Sequence, residues 1–200
     1  MSVQTAASPA VARGHRTSVL TLLAGALFVV VPLLVEFVNG DTFLLMGVAL
    51  LLLLCALPGL RRLQSGRDGR LGQWGLRLTL TGLAGMVVLV LGADALDAAL
   101  SGSAQAVAEG LWMVVAALSA VSALVGVIAF SAGLTRARVL EPTGIWVFLG
   151  GMTLGLVSES FEQSLSGPVP WLADVLPPLG FMAAGIGLVV LGRSARRVEA

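Results

Sequence analysis

The sequence predicts an all-α, polytopic integral membrane protein with six transmembrane helices, on three observations. First, 57% of its 200 residues are hydrophobic, only 12% are charged and the mean hydropathy is +0.97. A water-soluble domain of this size could carry that composition only by exposing large apolar patches. Second, the apolar residues form continuous runs (ALFVVVPLLVEFV, LLLLLCAL, MVVLVLG) without the alternation of a β-barrel strand, which points to helices. Third, charge is segregated along the chain in step with those runs. At about 20 apolar residues per crossing the chain holds roughly six spans and no soluble catalytic domain.

Residues 1–17 form a polar tail carrying Arg13 and Arg16. The first apolar run, 18–38, is too long for the apolar region of a cleaved leader and is expected to stay as the first helix. Further spans are expected at 43–60, 76–98, 108–132, 143–164 and 171–192, followed by a basic tail, 193–200. The whole of 18–192 is one transmembrane domain. Pro177 and Pro178 are expected to start or kink the last helix, because proline is accepted in a first turn and disrupts an interior.

The connections fix the expected orientation. All 12 basic residues are arginine, in the N-terminal tail, the 61–77 loop, the 136–138 loop and the C-terminal tail. Eight of the 11 acids (Glu36, Asp41, Asp94, Asp97, Glu109, Glu159, Glu162 and Asp174) lie at the opposite ends of the spans. Segments on the cytoplasmic side collect arginine and lysine, so both termini are expected in the cytoplasm. Trp74 and Trp146 fall near the basic interface and Trp112 and Trp171 near the acidic one, as aromatic belts do. The lysine-free composition, dominated by Ala, Gly, Leu and Val, is a bias associated with GC-rich bacterial genomes, and a bacterial source is the expectation. The expected address is therefore a bacterial inner membrane.

The six spans read as three consecutive hairpins. Each pair ends in glycine and arginine: Gly59-Leu60-Arg61-Arg62, Gly133-Leu134-Thr135-Arg136 and Gly192-Arg193. Glycine can end a helix and a cation complements its carbonyl end. Each odd helix also has a glycine some three turns before an acid: Gly25 before Glu36, Gly85 before Asp97, Gly151 before Glu162. The pattern fits a repeated unit, and equally the ordinary helix ends of a chain with a positive inside. Helix four carries Ala116, Ser119, Ala120, Ser122, Ala123 and Gly126. Helix five has Gly151-x-x-x-Gly155 and helix six Ala183-x-x-x-Gly187. Such residues let helices approach closely in lipid, either within the chain or between copies in a homo-oligomer.

Candidate chemistry sits at the acidic end. Glu159, Glu162 and Gln163 share a helix face, as do Asp94 and Asp97, and with Glu36 these carboxylates could form an outer vestibule for a proton or cation. They could equally hydrate the outer helix ends. Enzyme chemistry is not expected. Ser119 and Ser122 have no His or Lys partner, and His15 is the only histidine and there is no tyrosine. One chain thus cannot assemble a bis-His haem site, a His-based zinc site or a His-dependent triad. Cys55 is the only cysteine, which excludes an intrachain disulfide, and its setting in an apolar run predicts core packing. No cofactor or metal is expected. The basic 61–77 segment suits anionic lipid headgroups rather than nucleic acid.

The run GALFVVVPLLVEFVNGDTFLLMGVALLLLLCALPGLRR, with Gly25, Pro32 and Gly47, resembles the first hairpin of the HdeD-like family of small bacterial six-helix membrane proteins. The resemblance implies an inner-membrane stress or acid-resistance accessory role with no catalytic residues to carry over. The leading expectation is therefore a non-enzymatic, stress-related or partner-binding accessory, which would co-purify with a partner. The alternative is a small proton or cation transporter or channel subunit using the acidic vestibule, which would give acid-dependent flux in proteoliposomes.

Overall fold

The structure, a computed structural model, describes residues 9–37, 43–64, 67, 69–99, 103–165 and 170–199. Six helices follow one another: α1 (Pro9–Phe37), α2 (Phe43–Leu63), α3 (Gly69–Ala99), α4 (Ser103–Ala137), α5 (Pro142–Leu165) and α6 (Pro170–Glu199), with no strand among the described residues. Five contain stretches long and apolar enough to cross a membrane: Thr17–Leu34, Leu45–Leu63, Gly69–Gly92, Gly110–Ala137 and Val175–Val198. In α5 the described apolar stretch is Pro142–Ser158, about 25 Å long at helical rise against a hydrocarbon core of about 30 Å.

Several helices overrun the spans expected from apolarity, chiefly at the arginine-bearing end. The segment expected as a basic loop over 61–77 is largely helical, because α2 runs to Leu63 and α3, from Gly69, already includes RLGQWGLR. A helix satisfies its own backbone in headgroups and water as well as in hydrocarbon. In this segment it also turns Gly72, Gly75 and Leu76 inward while Leu71, Trp74 and Arg77 stay outside.

The glycines read as helix stops are not stops. Gly59, Gly133 and Gly192 all lie inside helices. A Cβ on Gly59 would run into the Thr17 side chain of α1, and one on Gly192 would lie 2.8 Å from Leu22 Cγ of α1. α4 ends instead at Ala137, and the next residue, Arg138, has a φ of 52°, left-handed and unfavourable for a residue with a Cβ. Pro142 then opens α5 in the position where its missing N–H costs nothing. The Glu141 N–H donates to Ser194 Oγ of α6 at 3.0 Å, tying this turn to the last helix. Pro177 and Pro178 do not start α6: the helix begins at Pro170 and both prolines lie in its interior, as Pro32 lies inside α1 and Pro58 inside α2.

Neighbouring helices run antiparallel, and the most extensive interfaces are α3–α4, α5–α6 and α1–α6. In the first, a Cβ on Gly75 would meet the backbone of Ala129 and Phe130, one on Gly126 the backbone of Thr79 and Leu78, and one on Gly82 the backbone of Ala123. In the second, Gly151 faces Ala184, Gly180 faces Gly155, and Gly187 faces Phe148. In the third, a Cβ on Gly25 would lie 2.7 Å from the Gly185 carbonyl oxygen, and one on Gly185 would lie 2.6 Å from that of Gly25. The α1–α6 contact joins the ends of the chain. It also distinguishes the three glycines that precede acids: Gly85 and Gly151 pack on the next helix, whereas Gly25 packs on α6.

The resulting interior is one apolar core in which Phe28, Phe130, Phe148, Leu57, Met152 and Leu188 are fully buried. The Phe28 and Phe181 rings meet at 6.1 Å with a 50° tilt. Hydroxyls are turned back onto their own helices: Thr21 Oγ1 donates to the Thr17 carbonyl, Thr79 Oγ1 to Gly75 and Thr135 Oγ1 to Ser131, each at 2.8 Å. The outer faces are apolar as well. On α4, Leu111, Val114, Leu118, Val121 and Val125 are exposed, an arrangement suited to hydrocarbon and not to water.

Adjacent glycines on α5 test the close-approach packing. No atom lies within 4 Å of a Cβ built on Gly150, whereas one on Gly151 would strike the Ala184 backbone nitrogen and lie 2.7 Å from the Gly180 carbonyl oxygen. Gly150→Ala should stabilise the protein by about 0.5–1 kcal/mol through helix propensity. Gly151→Ala should destabilise it by about 1–3 kcal/mol through overpacking. Opposite shifts in the apparent Tm of the two purified variants are expected; shifts of the same sign would contradict the packing.

Candidate functional site

Glu36, Asp94, Asp97, Glu159 and Glu162 belong to α1, α3 and α5, towards the ends remote from the arginines. Their side chains lie outside the described residues, as does that of His15. α5 carries Glu159 immediately after its described apolar stretch ends at Ser158. Ser158 itself is buried and donates to the Leu154 carbonyl at 2.5 Å and to the Gly155 carbonyl at 3.1 Å.

The four small residues picked out for helix packing come together in the α5–α6 interface. Gly151 lies against Gly180, Ala183 and Ala184; Gly155 lies against the Phe181 ring and Gly180; and Gly187 lies against Phe148. The Gly-x-x-x-Gly face of α5 is therefore covered by α6 of the same chain. On α4 only part of the small-residue set is used in this way: Ser119, Ala123 and Gly126 face α3. Ser119 is buried against Gly85, which makes it a packing residue. Cys55 is exposed on α2, contrary to the expected core packing. The inward face of that helix is set by Leu53, Ala56, Leu57 and Leu60, and a thiol is apolar enough to face lipid.

The described charged side chains lie at the other end of the bundle, the end to which the sequence assigns the arginines. Arg61 and Arg62 occupy the last turn of α2. With Pro58 and Leu76 they line an open groove of about 360 Å³ between α2 and α3. The Arg77 guanidinium lies 5.5 Å from the centroid of the Trp74 ring, a cation–π contact on an indole that is 60% exposed. A second groove, of about 300 Å³, lies at the α4–α5 turn and is lined by Thr135, Arg138, Leu140, Pro142 and Ile145. A guanidinium presents a planar fork of donors suited to an oxyanion; the first groove has two and the second has one. Among the described residues, no group of three or more His, Cys, Asp or Glu side chains is placed to hold a metal ion.

Gln64 is the unexpected member of this end. It follows α2 in a tight turn in which its N–H donates to the Arg61 carbonyl and its own carbonyl accepts from the Arg67 N–H, both at 3.0 Å. Its side chain is fully buried, yet neither Oε1 nor Nε2 has a hydrogen-bond partner among the described residues. Ser131 Oγ on α4 is likewise buried without a partner. In sequence, a glutamine after Leu60-Arg61-Arg62-Leu63 reads as a solvated loop residue, and no local signal marks it as interior.

No protein-family model matches the chain, and neither a curated protein nor a solved structure matches it.

An unpaired buried amide costs about 1–3 kcal/mol, and an apolar side chain of similar shape removes that cost. Gln64→Met is therefore expected to raise the apparent Tm of the purified protein. A lower Tm would show that the amide is satisfied in the native state and is needed there.

Proposed function

We propose that this chain is an inner-membrane protein of bacterial type with six crossings and both termini in the cytoplasm, acting as a non-enzymatic, stress-related or partner-binding accessory. The observation that carries the reading is the distribution of charge over the bundle. Antiparallel neighbours bring Arg61 and Arg62 of α2, Arg70 and Arg77 of α3, Arg136 of α4 and Arg193, Arg196 and Arg197 of α6 to the same end. An end rich in arginine is the cytoplasmic end of most multi-spanning proteins. α5 completes the count, since its 24 residues extend about 36 Å and its apolar part needs only the interfacial ends of the helix to cross.

The accessory role draws support from the character of the bundle. Its interior is packed with Phe, Leu and small residues, and its grooves at the arginine end are shallow and lined by cations and apolar groups. The resemblance of residues 25–62 to the HdeD-like first hairpin points to the same role.

Single cysteines introduced into a Cys55→Ser background test the topology by labelling with a membrane-impermeant maleimide. A cysteine replacing Arg67 or Ala200 should react only after cells are permeabilised, and one replacing Gly40, Gly102 or Gly167 should react in intact cells. The reverse pattern, or labelling of both sets from one side, would contradict the reading.

A further inference from the structure

The α2–α3 groove has the composition of a lipid site, and its depth can be read from its neighbours. Pro58 and Leu76 form its apolar part, and Arg61 and Arg62 its cationic part. Trp74, two residues before Leu76 on α3, exposes its indole beneath the Arg77 guanidinium. Exposed tryptophan with a neighbouring cation marks the headgroup level of a bilayer. Two residues of helix rise about 3 Å, so the groove sits within one headgroup layer of that marker.

The end of a helix normally presents unpaired carbonyls that repel an anion. Here the Arg61 carbonyl is taken by the Gln64 N–H and the Gln64 carbonyl by the Arg67 N–H, both at 3.0 Å. That pairing takes up one of the last carbonyls of α2 beside the two arginines. A guanidinium presents a planar fork of donors matched to a phosphodiester. An anionic phospholipid completes the match, because its phosphate meets the arginines while its glycerol and upper acyl chain cover Pro58 and Leu76. Free phosphate would leave those two apolar groups facing water.

We infer that the groove formed by Pro58, Arg61, Arg62 and Leu76 holds one anionic phospholipid, its phosphate on the two arginines. The inference rests on the proposed reading to the extent that this end of the bundle lies at a bilayer surface. It specifies one site on a surface that carries arginines at many points.

The test uses the full chain in nanodiscs of phosphatidylcholine doped with phosphatidylglycerol, with retained lipid counted by native mass spectrometry. Arg61→Gln with Arg62→Gln should cut retained phosphatidylglycerol about tenfold, as loss of a charge-assisted hydrogen bond does. Arg193→Gln with Arg196→Gln, which removes the same charge elsewhere at this end, should leave retention near that of the unaltered protein. Arg61→Lys with Arg62→Lys, which keeps the charge and loses the fork, should give an intermediate value from protein of normal monodispersity.

Equal loss from both glutamine pairs would overturn the site in favour of diffuse attraction. Displacement of the lipid by inorganic phosphate would overturn it in favour of a free ion, and unchanged retention in every variant would overturn it outright. Both leaflets of a nanodisc carry the same lipid, so retention does not depend on which way the chain inserts. Failure of the lipid site and failure of the topology are thereby read separately.

Discussion

Everything in this bundle depends on helices touching through their backbones. In hydrocarbon the association of one helix with another gains nothing from expelling water, so close packing must supply the attraction. The chain meets this constraint with glycine, alanine and serine at facing positions. Gly75, Gly82 and Gly126 join α3 to α4; Gly151, Gly155, Gly180 and Gly187 join α5 to α6; and Gly25 and Gly185 join α1 to α6. Each glycine admits the neighbouring backbone and fixes how far one helix slides along the next. Larger side chains, such as Phe28, Phe130 and Phe148, then fill the interior that this register leaves.

The same solvent governs the polar groups. The hydroxyls of Thr21, Thr79, Thr135 and Ser158 are satisfied locally on carbonyls of their own helices, so these four add no requirement for a partner across an interface. Arginines are kept to one end, where the helices run on beyond the apolar spans. The α4–α5 turn at that end is built from a left-handed Arg138, Pro142 and the Glu141–Ser194 bond, which locks the last helix to a connection far from it in sequence. Gln64, fully buried beside the α2 turn with its amide unpaired, and Ser131, whose buried hydroxyl is likewise unpaired, are the exceptions among the described residues.

Much of this was legible in the sequence, and what was not has a physical reason. Continuous apolar runs announce helices, because a spanning segment must be both long and apolar, and every expected span corresponds to a helix. Helices run past the expected spans, since hydropathy reports apolarity and the backbone hydrogen bonds of RLGQWGLR or of 193–199 continue beyond it. Gly59 and Gly192 were read as stops because a glycine in a left-handed cap and a glycine under a neighbouring helix look alike in one dimension. The close approach of α1 to α6 leaves no local pattern at all, since its two halves lie at opposite ends of the chain. The acids at the remote helix ends were found by type and spacing, but spacing along a helix says nothing of which neighbouring helix a carboxylate faces. Gln64 gave no signal, because its burial comes from the fold around the turn and not from its flanking residues.

The α1–α6 closure is the element on which the glycine-registered bundle stands or falls, and cross-linking reaches it directly. In a Cys55→Ser background, Leu22→Cys with Gly192→Cys places two thiols where a Cβ on Gly192 would lie 2.8 Å from Leu22 Cγ, and a disulfide needs a Cβ separation of roughly 3.5–4.5 Å. Leu23→Cys with Gly192→Cys is the control, since Leu23 is exposed on the outer face of α1. Oxidation in membranes should close the 22/192 pair within the monomer and leave the 23/192 pair open. Equal closure of both pairs, or a 22/192 disulfide found only in dimers, would contradict the account.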